Sequence, residues 1–402
     1  MTRLFPPEAD CIVKIHDQLE HLVKIKMGTP FSDFVVRLTR EELSTLVEIV
    51  FWAGLQFNEG RTTRVRLAVA SPVRLPGAIR FASPVPYEES EIVRLAPAVP
   101  PGRCLGVVQV DDGFHISGFA HKSAISALET VVVETAEPGT VRVDVGPFRP
   151  FAVLDGRSNE IIEATGSDLA HFLRRKLEKA FPPADILETQ AIWRECLALA
   201  DLVRMILDGS HGGAVLIVPT DTDDWLKFLS PFPYRFEVAD TGVHDVIRAE
   251  LSDTDAQGKL FMDLSQAPLP EELKNRINIA FPRSAWGGAH AAMQAIAPLV
   301  GVDGAVVMTR ELKLLGFGAK IAFEPGSGVP VNKFQAKPGH QPIVPSRLED
   351  LGGMRHQSAA RFIAANKGAV AIVVSQDRHV SVMNWEDTLS AVSVVRHAEW
   401  WI

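Results

Sequence analysis

The chain has 402 residues, 47% of them hydrophobic and 22% charged, which is enough material for two or three globular domains with sizeable cores. A net charge of −8 argues against general binding to nucleic acids or anionic membranes. The three cysteines lie far apart without CxxC spacing, so they provide no disulfide framework and no zinc site, and they suit a reducing cytoplasm. We therefore expect a cytoplasmic protein that binds neither membrane nor DNA.

Residues 1–150 are predicted to form a β-rich α+β domain. Thr39 and Glu42 have the spacing of a capping box, and apolar positions recur after them at helical period, which predicts a helix near Arg40–Trp52. Valine-rich runs typical of strands follow, and the sequence VDDGF predicts a hairpin turn within one of them. The prolines between residues 72 and 101 predict a segment in which loops dominate.

Residues 151–186 are predicted to be a helical linker. Its main element is an amphipathic helix with the sequence DLAHFLRRKLEKAF, whose basic residues are most simply a solvated face or favourable charges in the last turn. Over residues 187–402, helical patterns alternate with short buried strands such as GGAVLIVP. This alternation predicts an α/β domain with a central mixed sheet flanked by helices.

The first candidate motif is Asp303-Gly304-Ala305, which places a carboxylate and two small residues at the mouth of an apolar strand. Small residues there would let a flat ligand approach the backbone, and the carboxylate could hold a divalent cation. A plain Asp-Gly turn has the same pattern, and this alternative is favoured when the motif is taken alone.

The second motif, GGMRHQ, places a double glycine, Arg355 and His356 at a helix start. Backbone N–H groups at such a start suit phosphate, Arg355 could clamp its oxygens, and His356 could donate to a phosphate or orient Asp303. A solvent-exposed Arg-His pair is the alternative, although a cation there opposes the helix dipole. A third motif, VVSQDR, ends a strand at Ser375, where ligand sites of α/β sheets collect, but a hairpin turn is also compatible.

The order and spacing of these motifs resemble the diadenylate cyclase domain family, the nucleotide-binding domain of DNA-integrity scanning proteins. That family pairs an Asp-Gly-Ala motif with an Arg-His-Arg motif, with a glycine-containing strand between them and an apolar strand ending in Val-Val-Ser after them. The corresponding segments here are Asp303–Ala305, Gly316–Ile321, Leu351–Ala360 and Val370–Asp377. The N-terminal half resembles the sensor domain that precedes the cyclase domain in some soluble members.

The resemblance implies condensation of two ATP molecules into cyclic di-AMP and two pyrophosphates across a face-to-face homodimer, regulated by an N-terminal sensor domain whose ligand is unknown. It implies that Asp303 is the catalytic residue and holds Mg²⁺ or Mn²⁺. The nucleotide-binding residues implied by the family are Gly304, Ala305, Gly318, Arg355, His356, Gln357, Ser375 and Arg378.

Two positions depart from the family's motif. Its second arginine is Gln357 here, and the residue before the motif, usually threonine, is Met354. Because both changes weaken a triphosphate clamp, the alternative is a regulatory protein that binds a nucleotide or a cyclic dinucleotide without synthesis. Arg361, one helical turn after Gln357, and Arg378 are candidates to replace the missing charge, although a surface cation is the simpler interpretation of Arg361.

Overall fold

The computed structural model describes part of the chain, namely residues 9–26, 37–58, 61–69, 79–99, 103–110, 113–121, 131–145, 150–155, 160–163, 169–180, 186–209, 211–252, 287–322, 328–336 and 343–401. The chain divides into two compact units, Met1–Asp168 and Leu169–Ile402. The expected linker, residues 151–186, is therefore divided: residues 151–168 belong to the first unit and residues 169–186 to the second. Within the described residues, no helix combines the length and the apolar composition needed to cross a membrane.

The first unit combines helices with a β-sheet and a short hairpin. Its described helices are α1 (Ala9–Lys26), α2 (Arg40–Leu55) and α3 (Glu89–Leu95). Its described strands are β1 (Phe57–Asn58), β2 (Arg61–Thr62), β3 (Arg66–Val69), β4 (Ile79–Pro86), β5 (Arg103–Val110), β6 (Gly113–His121), β7 (Val131–Glu137), β8 (Thr140–Val145), β9 (Pro150–Asp155) and β10 (Glu160–Glu163).

Helix α2 begins where the sequence predicts. The Thr39 side chain accepts a hydrogen bond from the Glu42 amide at 3.2 Å, and the Glu42 carboxylate accepts one from the Thr39 amide at 2.7 Å. This reciprocal pair satisfies two N–H groups that a helix start leaves without partners. The buried face of α2 then packs into the core that covers one side of the sheet, through Leu43, Leu46, Val47, Val50 and Phe51.

The sheet of the first unit has the order β10-β9-β8-β7-β3-β5-β6-β4. Strands β5 and β6 pair as an antiparallel hairpin, as VDDGF predicts, and the pair nearest the turn is Val110 with Gly113. Asp111 and Asp112 lie outside the described residues. Strand β4 was expected to be loop because of its prolines. It forms at the sheet edge, where a proline need not donate to a neighbouring strand.

The second unit is an α/β domain, which confirms the predicted fold class. Its described helices are α4 (Leu169–Ala180), α5 (Ile186–Asp208), α6 (residues 242–252), α7 (Gly287–Ile296) and α8 (Met354–Ala365). Its strands are β11 (Gly213–Val218), β12 (Tyr234–Asp240), β13 (Ala305–Thr309), β14 (Leu314–Ala319), β15 (Val331–Gln335), β16 (Val344–Ser346), β17 (Val370–Val374), β18 (Val380–Glu386) and β19 (Ala391–Arg396).

The strands of this unit form one mixed sheet with the order β12-β14-β13-β11-β17-β18-β19-β15-β16. Strand β11 runs parallel to β13 and antiparallel to β17. All six residues of β11 are buried. Because successive side chains of a strand point to opposite sides, both faces of the sheet are covered at β11. One face packs against α8 through Phe362 and Ile363, whose side chains belong to the same core as Leu216.

Helix α4 belongs to the second unit by its packing. It lies against α5, Phe172 contacts the Trp401 ring at a centroid distance of 5.2 Å, and Lys176 donates to Glu386 at 2.8 Å. Leu173 and Leu177 of the same helix are fully buried. The basic helix therefore combines surface charge with an apolar face that the second unit covers.

We expect a fragment of residues 169–402 to fold by itself and to be more stable than a fragment of residues 187–402. Losing α4 removes its packing on α5 and the burial of Leu173 and Leu177, and each buried leucine contributes roughly 1.5–3 kcal/mol. The shorter fragment should therefore lose about 3 kcal/mol or more of unfolding free energy, measured by urea titration. Equal stability of the two fragments would contradict this division of the chain.

Candidate functional site

Several predicted residues meet at one edge of the second sheet. Because β11 and β13 are parallel and β17 runs against them, the starts of the first two strands and the end of the third share this edge. Ala305 also pairs with Ala319 at the end of β14. The register therefore gathers four chain segments here, which carry Gly212, Asp303-Gly304, Lys320 and Ser375.

Glycines allow the backbone segments at this edge to approach closely. Gly304 has φ +123°, and a Cβ there would lie 2.7 Å from the carbonyl oxygen of Gly318 and 2.9 Å from the amide nitrogen of Ala319. A Cβ on Gly212 would lie 2.7 Å from the carbonyl carbon of Ser375. Side chains at these two positions would clash with backbone, so the edge needs glycine for steric reasons and, at Gly304, for conformational ones.

The Asp303 carboxylate is exposed and has cations beside it. Its Oδ2 lies 3.0 Å from Nζ of Lys320, and its side chain is 79% exposed. The hydrogen bond and charge of Lys320 lower the pKa of Asp303 below its ordinary value, and the positive charge of Arg355 adds to the effect. Asp303 is therefore an ionised, accessible oxygen ligand at the mouth of β13.

Arg355 crosses from the start of α8 to the start of β11. Its Nη1 donates to the carbonyl oxygen of Gly212 at 3.2 Å, and its side chain is half-buried. The helix begins after Gly353 without a side-chain cap and without an acidic residue in its first turn. The helix start thus combines a guanidinium with uncapped N–H groups, an arrangement that favours an anion.

His356 lies on the sheet side of α8, where only 6% of the residue is exposed. Its Nε2 is 3.2 Å from Oγ of Ser381 on β18, three strands from β13 in the sheet order. Burial lowers the pKa of His356 to about 4, and the charge of Arg396 contributes in the same direction. The imidazole is therefore neutral at pH 7 and holds the helix start against the sheet, at a distance from Asp303.

The other predicted residues have varied surroundings. Gln357 donates to the carbonyl oxygen of Gly352 at 3.0 Å, so its amide is engaged by its own loop. Met354 is 70% exposed. Arg361 is half-buried, and its Nε has no hydrogen-bond partner within the described part of the chain, so it is not a simple surface cation. Arg378 has φ +65°, which closes a tight turn after β17.

Ser375 and Ala305 have backbone roles at the site edge. The Ser375 hydroxyl accepts the His379 amide at 3.0 Å, and its own amide donates to the His379 carbonyl oxygen at 2.9 Å. Ala305 is the buried first residue of β13 and follows the Gly304 turn. The structure therefore brings together Asp303, Gly304, Gly318, Arg355 and Ser375 around one edge, with Gln357 turned toward its own loop.

Sequence reasoning missed three features of the site. Lys320 directly follows the glycine-containing strand, so its position in the motif GFGAK was a usable signal. Gly212 belongs to the double glycine at the start of β11; the sequence predicts a strand there but does not indicate that this glycine belongs to the site. Tyr234 stacks on Phe317 with centroids 4.7 Å apart, and no local pattern in β12 indicated this pair.

Comparison with protein-family models shows one similarity in the first unit. The model of the probable sensor domain DACNV matches residues 38–121, from the cap of α2 to the end of β6. No curated protein and no solved structure is significantly similar to the chain. The first unit therefore contains a region similar to a sensor domain.

Gly304→Ala should destabilise the second unit by about 2–4 kcal/mol, because the new Cβ meets the backbone of Gly318 and the positive φ is strained for alanine. Urea unfolding of the full chain measures the change. Gly328→Ala is the matched control, since a Cβ there meets no atom of the described residues within 4 Å and should change stability by about 1 kcal/mol or less. Equal effects of the two substitutions would disprove the close approach.

Buried His356 should make the protein less stable in acid. With a folded-state pKa of about 4 against an ordinary value of 6.5, the unfolded chain binds this proton first, so stability falls as pH drops from about 6.5 toward 4. We expect a loss of about 2 kcal/mol from this group, which His356→Gln should remove. Unfolding free energies of both proteins at pH 7 and 4.5 measure the difference. An NMR titration in which His356 protonates near pH 6.5 would contradict its burial.

Proposed function

We propose that the chain is a diadenylate cyclase that joins two ATP molecules into cyclic di-AMP under the control of its N-terminal sensor domain. The observation that carries the proposal is the exposed, ionised Asp303 at a turn of bare backbone, with Lys320 and Arg355 close enough to shift its pKa. The order of four family motifs supports the assignment. The match to a sensor domain of the kind associated with these cyclases supports it independently.

The triphosphate would lie between the start of α8 and the turn before β13. Lys320 and Arg355 supply the positive charge, and the uncapped N–H groups after Gly353 supply hydrogen-bond donors. Lys320 is half-exposed, so it can leave Asp303 and pair with a phosphate oxygen. Salt should therefore weaken nucleotide binding in the manner typical of exposed charges.

The adenine base would find an apolar surface next to the Gly304 turn. Tyr234 is 51% exposed, its ring stacks on Phe317, and a Cβ on Gly318 would lie 2.9 Å from the Tyr234 ring. The aromatic pair is thus adjacent to the glycine that contacts Gly304. Stacking on such a surface suits a purine and leaves its edge available for hydrogen bonds.

The residues present fit a Mg²⁺ or Mn²⁺ ion at Asp303. These ions prefer carboxylate oxygens and usually share few protein ligands with substrate phosphates, and Asp303 offers one exposed carboxylate beside the proposed triphosphate position. When bound, the ion would neutralise charge on the phosphate oxygens during transfer. Lys320 and Arg355 would help to position those oxygens.

The reaction itself requires two copies of the site. The 3′-hydroxyl oxygen of one ATP attacks the α-phosphorus of the other and loses its proton to water. The bond from that phosphorus to the oxygen that bridges it to the β-phosphorus breaks, and pyrophosphate leaves with the bridging oxygen. The second ATP reacts in the same way to close the ring. Because one site holds one ATP, two chains must face each other, and the contribution of each chain is mainly position and charge.

A binding protein without synthesis is the second candidate function. Gln357 supplies no charge where the family has arginine, and its amide is bonded to the Gly352 carbonyl oxygen. Met354 supplies no hydroxyl and points to solvent. Such a protein would bind ATP or cyclic di-AMP at the same edge without forming product.

Incubation of the full chain with ATP and Mn²⁺, followed by mass detection of cyclic di-AMP, tests the proposal. Asp303→Asn should lower the rate about a thousandfold or more, because it removes the negative charge that holds the metal ion. Asp224→Asn is the matched control, since Asp224 is also an exposed carboxylate paired with a lysine, 3.4 Å from Lys227. That variant should retain activity.

The outcomes separate the two candidate functions. Nucleotide binding without product in the wild-type chain would favour the binding protein. Product formation that survives Asp303→Asn would show that the catalytic residue is assigned wrongly.

A further inference from the structure

A second cluster of metal-ligand residues lies apart from Asp303, where β18 begins and β19 ends. It consists of His379, His397 and Glu399, whose ligand atoms all lie within 4.8 Å of one another. Nδ1 of His379 and Nδ1 of His397 are each 2.9 Å from the same carboxylate oxygen, Oε1 of Glu399. Two imidazole nitrogens and one carboxylate oxygen therefore converge on one point.

The backbone holds these three side chains in place. Antiparallel pairing of Ser381 with Arg396 puts the residue before β18 near the residue after β19, which brings the two imidazoles together. Their ring centroids are 4.7 Å apart. Oε2 of Glu399 accepts the Val380 amide at 2.6 Å, so the carboxylate is fixed by its second oxygen while the first faces the histidines.

The backbone at His397 is unusual for a residue with a side chain. It has φ +61°, in the left-handed region that is costly for residues other than glycine. This conformation lets the chain leave β19 and turn at once into the short 3₁₀ helix Ala398–Trp401, which carries Glu399. The imidazole and the carboxylate two residues later are thereby brought to 2.9 Å.

The surroundings of Glu399 suit a cation. Its Oε1 faces both imidazoles, its Oε2 accepts the Val380 amide, and only 15% of its side chain is exposed. A divalent ion bound to the two Nδ1 atoms and to Oε1 would take the place of the direct contacts between them.

We propose that His379, His397 and Glu399 form a binding site for Zn²⁺, with water as the fourth ligand. Two imidazoles and one carboxylate are a donor set that zinc uses in proteins, whereas Mg²⁺ prefers oxygen ligands. Tetrahedral zinc separates its ligand atoms by about 3.3 Å, so the present 2.9 Å separations need to widen by only about 0.4 Å. The His379 side chain is 36% exposed, which leaves a path for the ion and room for water.

Zinc binding is tested on the full chain after treatment with EDTA, by titration with ZnCl₂ and by Co²⁺ substitution. We expect one ion per chain at this site, the visible absorption bands of tetrahedral Co²⁺ and a zinc-dependent rise in Tm. His379→Ala and His397→Gly should each weaken zinc binding about tenfold or more and remove the Co²⁺ bands. None of these three readouts depends on nucleotide or on product formation.

The variants are chosen so that unfolding cannot imitate loss of the site. His397→Gly relieves the left-handed backbone strain, which offsets the loss of the contact with Glu399, so in EDTA the variant should remain folded. His21→Ala, which removes an exposed histidine of α1, is the matched control and should leave zinc affinity unchanged. Asp303→Asn should also leave it unchanged, because the two sites are separate.

Two results would overturn the assignment. One is the absence of a saturable zinc isotherm and of a zinc-dependent Tm shift in the wild-type chain. The other is a His397→Gly protein that binds zinc as tightly as the wild type, which would place the ion elsewhere.

Discussion

The candidate site depends on backbone segments that approach each other with no side chain between them. Gly304 meets Gly318 across β13 and β14, and Gly212 meets Ser375 across β11 and β17. A methyl group at either contact would force the strand ends apart, and the sheet register would have to change with them. The close approach sets the turn that carries Asp303 directly against the end of β14.

Charge at this edge is organised locally and does not follow the net charge of the chain. The protein carries a net charge of −8, yet Lys320 pairs with Asp303 at this edge and the charge of Arg355 also acts on that carboxylate. The start of α8 adds partial positive charge from its uncapped N–H groups. The polyanion and divalent cation of the proposed function would complement this pattern, since the ion would satisfy the carboxylate and the cations would satisfy the phosphates.

The start of β18 links this site to the proposed zinc site. Ser381 is fully buried and contacts the neutral imidazole of His356, which anchors α8. The preceding residue, Val380, donates its amide to Glu399. The turn before it, from Ser375 to His379, is closed by two hydrogen bonds between those two residues. An ion on His379 would therefore stabilise the same turn that holds Ser375 at the sheet edge.

Local sequence patterns predict several of the helices and strands correctly. The Thr39 capping box predicts the start of α2, and apolar runs predict the buried strands β11, β13 and β17. Strand β12 was not predicted. Most of its residues are exposed, and its burial lacks the alternation that marks a half-buried strand. The prolines of β4 predict a loop, and this prediction is wrong. The strand lies at the edge of the sheet, where prolines are tolerated, and only the tertiary structure shows this position.

The sequence by itself determined the fold class of the second unit and the short motifs that nominate Asp303, Arg355 and Ser375. Only the tertiary structure decided which of those residues meet, because strand order and register join segments far apart in the chain. Lys320 reaches Asp303 through the pairing of β13 with β14, and Arg355 reaches Gly212 by crossing from helix to sheet. The pairing of β18 with β19 likewise brings His379 to His397, which no spacing in the sequence could reveal.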